Sequence, residues 1–402
     1  MRPTLSVTAA VLALAAAAHL AAPPRAIAQG APPDAPPPAA APGGHAVHTV
    51  DLSIDNPRTG RALELRVRVP AAGVSADMPA QGWPVLVFSH GAGGSREAFG
   101  SLLELLATHG FASVAPTHGD SIELARRGGE RVPGLMDRDG RRQLLRRVDL
   151  AGRVADCSLV LDAAHDIAAR VADDTGQRVL LDTQRAAIGG HSAGAFTAQL
   201  AAGVRARGRA VGKRGFGLSS IADERFRAAV VISGQGTPTR ALTADSWARV
   251  AVPMLVFAGS LDGSPPDMGR QTPASRREPF ERSRGRDAGG PPAYLVDIAG
   301  ATHSSYQGKA SRAMAVERAL GGQEADEAGD DASVQPADPD AVAAIVNAAV
   351  LRFLRAFLAD DQSARDWLDS DAPAGELGEL LGGQLVGLDD GQEGGAVGYR
   401  WK

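Results

Sequence analysis

The 402-residue chain has one cysteine, Cys157, which excludes an internal disulfide. That thiol sits in a helical pattern with Val154, Leu159, Val160 and Leu161, and no Cys or His stands at metal-ligand spacing from it. A buried, inert thiol is the reading. Charge of one sign is also lacking: a formal net charge of −4 points to neither nucleic acid nor an anionic membrane surface. No metal cage, no internal repeat, and no G-x-G-x-x-G after a strand with an acid at ribose distance is present. The expected chemistry therefore uses no metal and no cofactor. After the N-terminus no apolar run is long enough to span a bilayer.

What the chain does have begins with Arg2, an Ala/Leu/Val-rich run near Ala9 to Ala18, and then Ala26-Ile27-Ala28. This is the layout of a Sec-type signal peptide cleaved after Ala28, with export to the periplasm or medium expected. No cysteine follows to take a lipid, and no arginine pair marks the twin-arginine route. The expected organisation is a signal peptide over 1–28 and a Pro/Ala-rich tether over 29–44. A domain over 45–370 follows, with insertions at 119–147, 263–292 and 321–340, then a Gly-rich tail over 371–402. With 44% apolar residues the main domain can build a large core.

Val47 to Ile54 and Leu63 to Val69 alternate around turn-forming Asp55-Asn56-Pro57-Arg58-Thr59-Gly60, which predicts a hairpin. Continuous apolar runs at Val85–Phe88, Phe111–Ala115, Ala186–Ile188, Ala228–Ile232, Ala251–Ala258 and Ala293–Ile298 predict strands buried on both faces of a parallel sheet. Helical periods lie between them, with Ser95 as the expected cap of a helix bearing Phe99, Leu102, Leu103 and Leu106. A further amphipathic helix is expected over Ala341 to Leu358. The fold class is α/β, a mostly parallel sheet flanked by helices.

Gly190-His191-Ser192-Ala193-Gly194 joins a strand to a helix and matches G-x-S-x-G, the nucleophile elbow. In a chain this rich in Gly and Ala the motif alone does not separate a nucleophile from a turn. Its company does: Asp262 and His303 follow in loops just beyond apolar strands, in the order serine, acid, base. A serine hydroxyl needs the imidazole to take its proton, and the imidazole needs a carboxylate to fix its tautomer. The N–H groups of Ala193 and Ala92 are the expected oxyanion donors, with Gly93 as the fallback. His118 is a candidate substrate contact, the alternative being a structural polar cap; Gly93 is a second possible contact. Asp267 is the runner-up acid. His90 is expected to order its loop, His191 flanks the serine, and His109 and His165 belong to helices.

These motifs resemble the α/β-hydrolase superfamily, in the branch of bacterial dienelactone hydrolases and platelet-activating-factor acetylhydrolase. The resemblance rests on Pro84-Val-Leu-Val-Phe-Ser-His-Gly-Ala-Gly-Gly-Ser95, Ala107-Thr-His-Gly-Phe-Ala-Ser-Val-Ala-Pro116, Gly190-His-Ser-Ala-Gly194 and the loops of Asp262 and His303. It spans roughly Val47 to Ser370. It implies a serine carboxylesterase acting on a small-molecule or lipid ester through an acyl-enzyme, and it places Ala92 at the oxyanion. Dienelactone hydrolases carry a cysteine nucleophile where this chain has Ser192. Secreted polyesterases have an aromatic and a Met where this chain has Ala92 and Ala193. A catalytically silent binding protein, an acyltransferase, a perhydrolase and a polyesterase remain alternatives on the same fold. Insertion 119–147 carries eight arginines against five acids. Solvated loops explain that excess, and selection of anionic esters is the other reading.

Overall fold

The computed structural model describes residues 41–71, 78–132, 138–215, 217–264, 270–311, 334–381 and 396–402. The expected signal peptide, most of the tether, Asp267 and parts of all three insertions and of the tail lie outside these residues. The predicted hairpin is β1 (Val47–Asn56) paired antiparallel with β2 (Arg61–Pro70). Then come β3 (Trp83–Ser89), α1 (Gly100–Thr108) and β4 (Ala112–Pro116). Phe99, with φ 57°, precedes α1, so Ser95 does not cap it. The Ser95 hydroxyl instead accepts from the Glu97 N–H within the preceding turn, 3.4 Å away.

The excursion after β4 contains two helices, α2 (Ile122–Arg127) and α3 (Arg138–Arg147). Helix α3 buries only Gly140 and Leu144, so one anchor side chain suffices and the rest of its sequence stays polar. The long helical pattern that follows is split at Ala163 into α4 (Leu150–Asp162) and α5 (Ala164–Thr175). Strand β5 (Leu181–His191) leads into α6 (Ala193–Ala201), and a small hairpin, β6 (Ala206–Arg207) and β7 (Leu218–Ser219), follows. The remaining core elements are β8 (Phe226–Ile232), β9 (Met254–Leu261), α7 (Pro273–Glu281), β10 (Ala293–Thr302) and α8 (Pro339–Leu358). Helices α9 (Gln362–Leu368) and α10 (Ala372–Glu379) precede a last strand, β11 (Val397–Trp401).

Among the described residues nine strands form one sheet in the order β1-β2-β4-β3-β5-β8-β9-β10-β11. The pairings from β4 through β10 are parallel, and the antiparallel strands sit at the two edges. Alternate side chains of one strand feed separate cores. Val85 and Val87 join Cys157, Val160, Ile167 and Ala195 on one face, while Leu86 and Phe88 join Leu102, Leu103, Val346 and Phe353 on the other. This three-layer sandwich is the α/β-hydrolase architecture, and it aligns the C-terminal ends of β3, β5, β8, β9 and β10 along one edge, where an open α/β sheet binds its ligands. Against expectation, α8 is long and apolar enough to cross a membrane; 72% of its most apolar window is buried within the fold, as a core helix requires.

Candidate active site

Ser192 stands between β5 and α6 with φ 57° and ψ −117°, a conformation a non-glycine residue holds only when its surroundings enforce it. The surroundings are tight. A Cβ on Gly194 would lie 1.9 Å from the Ser89 carbonyl oxygen, and one on Gly190 2.3 Å from the Gly194 carbonyl oxygen. Only glycines at both positions let strand, turn and helix approach so closely. The Ser192 N–H is spent on the Ile232 carbonyl, 3.1 Å away, which ties the elbow to the neighbouring strand.

The structure brings Asp262 and His303 to this serine. Ser192 Oγ is 3.0 Å from His303 Nε2, and His303 Nδ1 is 2.9 Å from Asp262 Oδ1. Asp262 follows β9 and is fully buried, whereas the His303 side chain is 20% exposed. With a carboxylate as acceptor, His303 carries its proton on Nδ1 and leaves Nε2 free to accept from Ser192. Burial by itself would raise the Asp262 carboxyl. The Arg276 charge and hydrogen bonds from His303 and Ser233 outweigh it, holding that carboxyl well below the usual carboxylate range.

Three members of this cluster were not singled out from sequence. Ser233, at the end of β8 with φ 53°, donates from Oγ to Asp262 Oδ1 at 3.0 Å and lies 2.9 Å from His303 Nδ1. Tyr306 donates its hydroxyl to Asp262 Oδ2 at 2.9 Å, and burial beside that carboxylate keeps the phenol protonated. Arg276 on α7, with its side chain 1% exposed, lies 3.2 Å from Asp262 Oδ1 and donates to the Gly234 carbonyl at 2.9 Å. Arg276 did leave a signal in the sequence: it shares the i, i+3, i+4 spacing of a buried helical face with Pro279 and Phe280.

On the other side of Ser192 lies the turn after β3. A Cβ on Gly91 would be 3.6 Å from Ser192 Cβ, so this turn runs directly beside the nucleophile candidate. Neither the Ala92 nor the Ala193 N–H has an acceptor among the described residues. Gly93, the fallback donor and possible substrate contact, is different. Its N–H donates to Asp120 Oδ2 at 3.0 Å, its carbonyl accepts from Ile122, and its Cα faces Ile122 and Leu144 of the insertion. Gly93 is thus occupied by the insertion and withdrawn from the site.

His118 also departs from the substrate-contact expectation. It is fully buried, donating from Nδ1 to Asp156 Oδ2 at 3.0 Å and accepting at Nε2 from Ser89 Oγ at 2.9 Å. Both ring nitrogens are taken, which makes it the structural polar cap. His90 holds the turn: its Nε2 accepts from the His118 N–H at 3.0 Å, leaving Nδ1–H for the Gly91 carbonyl at 2.6 Å. Burial, with Arg153 nearby, drives the pKa of His90 and of His118 down, so both stay neutral. His191 is pushed down to about 3, by burial first and the neighbouring His303 second. Its Nε2–H donates to the His303 carbonyl at 2.8 Å, tying the main chain of that residue to the elbow. Several arginines of the two insertions are spent on acids: Arg127 on Glu64, Arg147 on Glu130, Arg277 on Asp297, Arg282 on Glu278 and Arg286 on Asp369. Cys157 is buried, and burial raises its thiol pKa far above the ordinary range.

Comparison with known proteins adds three findings. Residues 61–126, from β2 through α2, match the family model of platelet-activating factor acetylhydrolase, isoform II. A Klebsiella pneumoniae subsp. pneumoniae MGH 78578 protein, solved under the description "Putative Dienelactone Hydrolase", is 19% identical, with a TM-score of 0.44. That alignment covers 69% of this chain and 96% of the other. No curated protein matches the chain. The sheet order is that of the α/β-hydrolase fold, and over β2 to α2 the sequence is similar to platelet-activating factor acetylhydrolase, isoform II.

Proposed function

We propose that this chain is an exported serine carboxylic-ester hydrolase acting through Ser192, His303 and Asp262 and an acyl-enzyme. One observation carries the reading: an unbroken hydrogen-bonded line from Ser192 Oγ (3.0 Å to His303 Nε2) through the ring to Asp262 (2.9 Å from Nδ1). The acetylhydrolase match over 61–126 supports an ester as substrate. Export rests on the Arg2, apolar-run and Ala26-Ile27-Ala28 pattern.

Ser192 Oγ attacks the acyl carbon as His303 Nε2 takes its proton, and Asp262 stabilises the resulting imidazolium. The carbonyl oxygen becomes an oxyanion held by the N–H groups of Ala92 and Ala193. Collapse expels the alcohol, which receives the proton from His303. Water, deprotonated by the same nitrogen, then hydrolyses the acyl-serine and restores the hydroxyl. The substrate is a small-molecule or lipid ester. Turnover of p-nitrophenyl acetate by the mature protein tests the reading. Ser192→Ala is expected to lower kcat by about 10⁴-fold or more at unchanged Tm. Equal turnover by wild type and variant contradicts the reading, and no turnover by either favours a silent binding protein.

A further inference from the structure

Beneath the turn that carries Ala92 lies a buried cation the proposed chemistry does not use. Arg153, on α4, and Asp120, after β4, have side chains each 1% exposed and sit 2.8 Å apart. The pairing is bidentate: Arg153 Nε meets Asp120 Oδ1 at 2.9 Å and Nη2 meets Oδ2 at 2.8 Å. The guanidinium has donors left over, and it aims them at the turn. Nη1 donates to the His90 carbonyl at 2.7 Å, and Nη2 to the Gly91 carbonyl at 3.2 Å. Asp120 takes the Gly93 N–H with the Oδ2 oxygen that also faces Arg153.

These contacts decide which N–H can face a substrate. In a trans peptide the carbonyl and the N–H of one unit point in opposite directions, and no cis peptide occurs among the described residues. Arg153 pulls the Gly91 carbonyl toward the α4 side, so the N–H of the same peptide, that of Ala92, turns the other way. The Gly94 N–H, 3.1 Å from the same carbonyl, reinforces that orientation. Asp120 meanwhile removes the next N–H, that of Gly93, from competition.

We infer that the Arg153–Asp120 pair is the positioning device of the oxyanion hole, selecting the Ala92 N–H as donor and rejecting that of Gly93. The inference rests on the ester-hydrolase reading above. Neither residue touches substrate; both act through the turn. A buried pair of this kind adds little net stability against an apolar substitute, but it fixes two carbonyls and one N–H at once, which an apolar pair cannot do.

The test compares Arg153→Lys with wild type, using a p-nitrophenyl ester and a trifluoromethyl ketone. The ketone accepts Ser192 Oγ at its carbonyl carbon, the serine proton passes to His303, and the ketone oxygen becomes an oxyanion in the same site. A lysine has a point charge and cannot hold both carbonyls and the carboxylate. Loss of one aligned donor in comparable sites costs about 10²-fold. The expected result is a kcat lower by about 100-fold per titrated active site, with KM within about twofold. Affinity for the ketone should fall by the same factor. Asp120→Asn, which keeps an acceptor for Gly93 but loses the charge, should show a smaller fall of the same kind. A lower Tm with kcat and ketone affinity unchanged in both variants overturns the role, leaving the pair as scaffold alone. If neither variant folds, a structure of the wild-type ketone adduct decides: the oxyanion must lie within hydrogen-bond distance of Ala92 N, and an oxyanion on Gly93 N overturns the inference. Wild type without ester turnover defeats the hydrolase reading first, and this role with it.

Discussion

Two buried arginine–aspartate pairs flank Ser192, one on each side. Arg276 and Asp262 lie toward β8, β9 and α7, and Arg153 and Asp120 lie toward β3, β4 and α4. Both arginines are 1% exposed, both stand on a helix packed beside the sheet, and both donate to carbonyls of a turn that follows a strand. They differ in what else their aspartates hold. Asp262 also binds the His303 ring, so its charge faces an imidazole that gains and loses a proton in the proposed reaction. Asp120 binds a backbone N–H of the turn, and no proton that moves in the proposed reaction lies on the groups it binds. The same ion pair can therefore support chemistry or hold geometry, according to whether its carboxylate is bonded to the proposed proton acceptor or to the backbone.

The largest effect separates the two aspartates. Asp262→Asn removes the charge that stabilises the imidazolium and permits the wrong His303 tautomer, so kcat should fall by about 10⁴-fold. Asp120→Asn should cost no more than about 10²-fold, as one misaligned donor does. Steady-state kinetics on both variants checks this, and equal losses would erase the distinction between the pairs.

The comparison sharpens under acid. The oxyanion side contains two buried neutral imidazoles, His90 and His118, facing Arg153, Asp120 and Asp156, and the elbow adds His191. Their folded pKa values lie below the unfolded value of about 6.5, so the unfolded chain binds more protons as pH falls. Their contribution to stability is complete above about pH 6.5 and is lost as pH drops from there toward the folded values. Each imidazole adds to that slope, with about 1.4 kcal/mol per pH unit as the limit for one whole proton. Denaturant unfolding from pH 7 to pH 5 should show falling stability, and His118→Gln should flatten the slope by about one imidazole's share. Asp262 and Asp120, with depressed carboxyls, lose their contribution only below about pH 4. A flat stability profile from pH 7 to pH 5 would show that the buried rings take up protons in the folded protein as readily as in the unfolded chain.

Much of this site was legible in the sequence because its signals are local. Apolar runs bounded by Gly and Pro mark strands without any knowledge of neighbours, and those strands place Ser192, Asp262 and His303 at one sheet edge. The residues that hold them were harder to read. Arg153 and Arg276 belong to a chain with many arginines, where a guanidinium reads as solvated surface. Each nevertheless lies on its helix's apolar stripe, Arg153 between Leu150 and Val154, Cys157 and Val160. A charged residue on such a stripe implies a buried partner, but the partner's identity depends on loops far away in sequence. Ser233 carried no local mark, since its role comes from the meeting of three strand ends. Gly93 and His118 were left with two readings each for a related reason: a free N–H and a free ring cannot be distinguished from occupied ones until the insertion after β4 is folded against them. Strand β11 alternates Val397, Tyr399 and Trp401, yet five residues beyond a Gly-rich stretch are too few to reveal pairing with β10.

In the proposed reaction Ser192 becomes covalently acylated while Asp262 and His303 drive the step. Intact-mass and peptide mass spectrometry after reaction with a fluorophosphonate tests it most directly. One adduct per chain, mapped to the peptide bearing Ser192 and lost in Ser192→Ala and in His303→Ala, is the predicted result. An unmodified wild-type protein, or an adduct on another residue, would contradict the account.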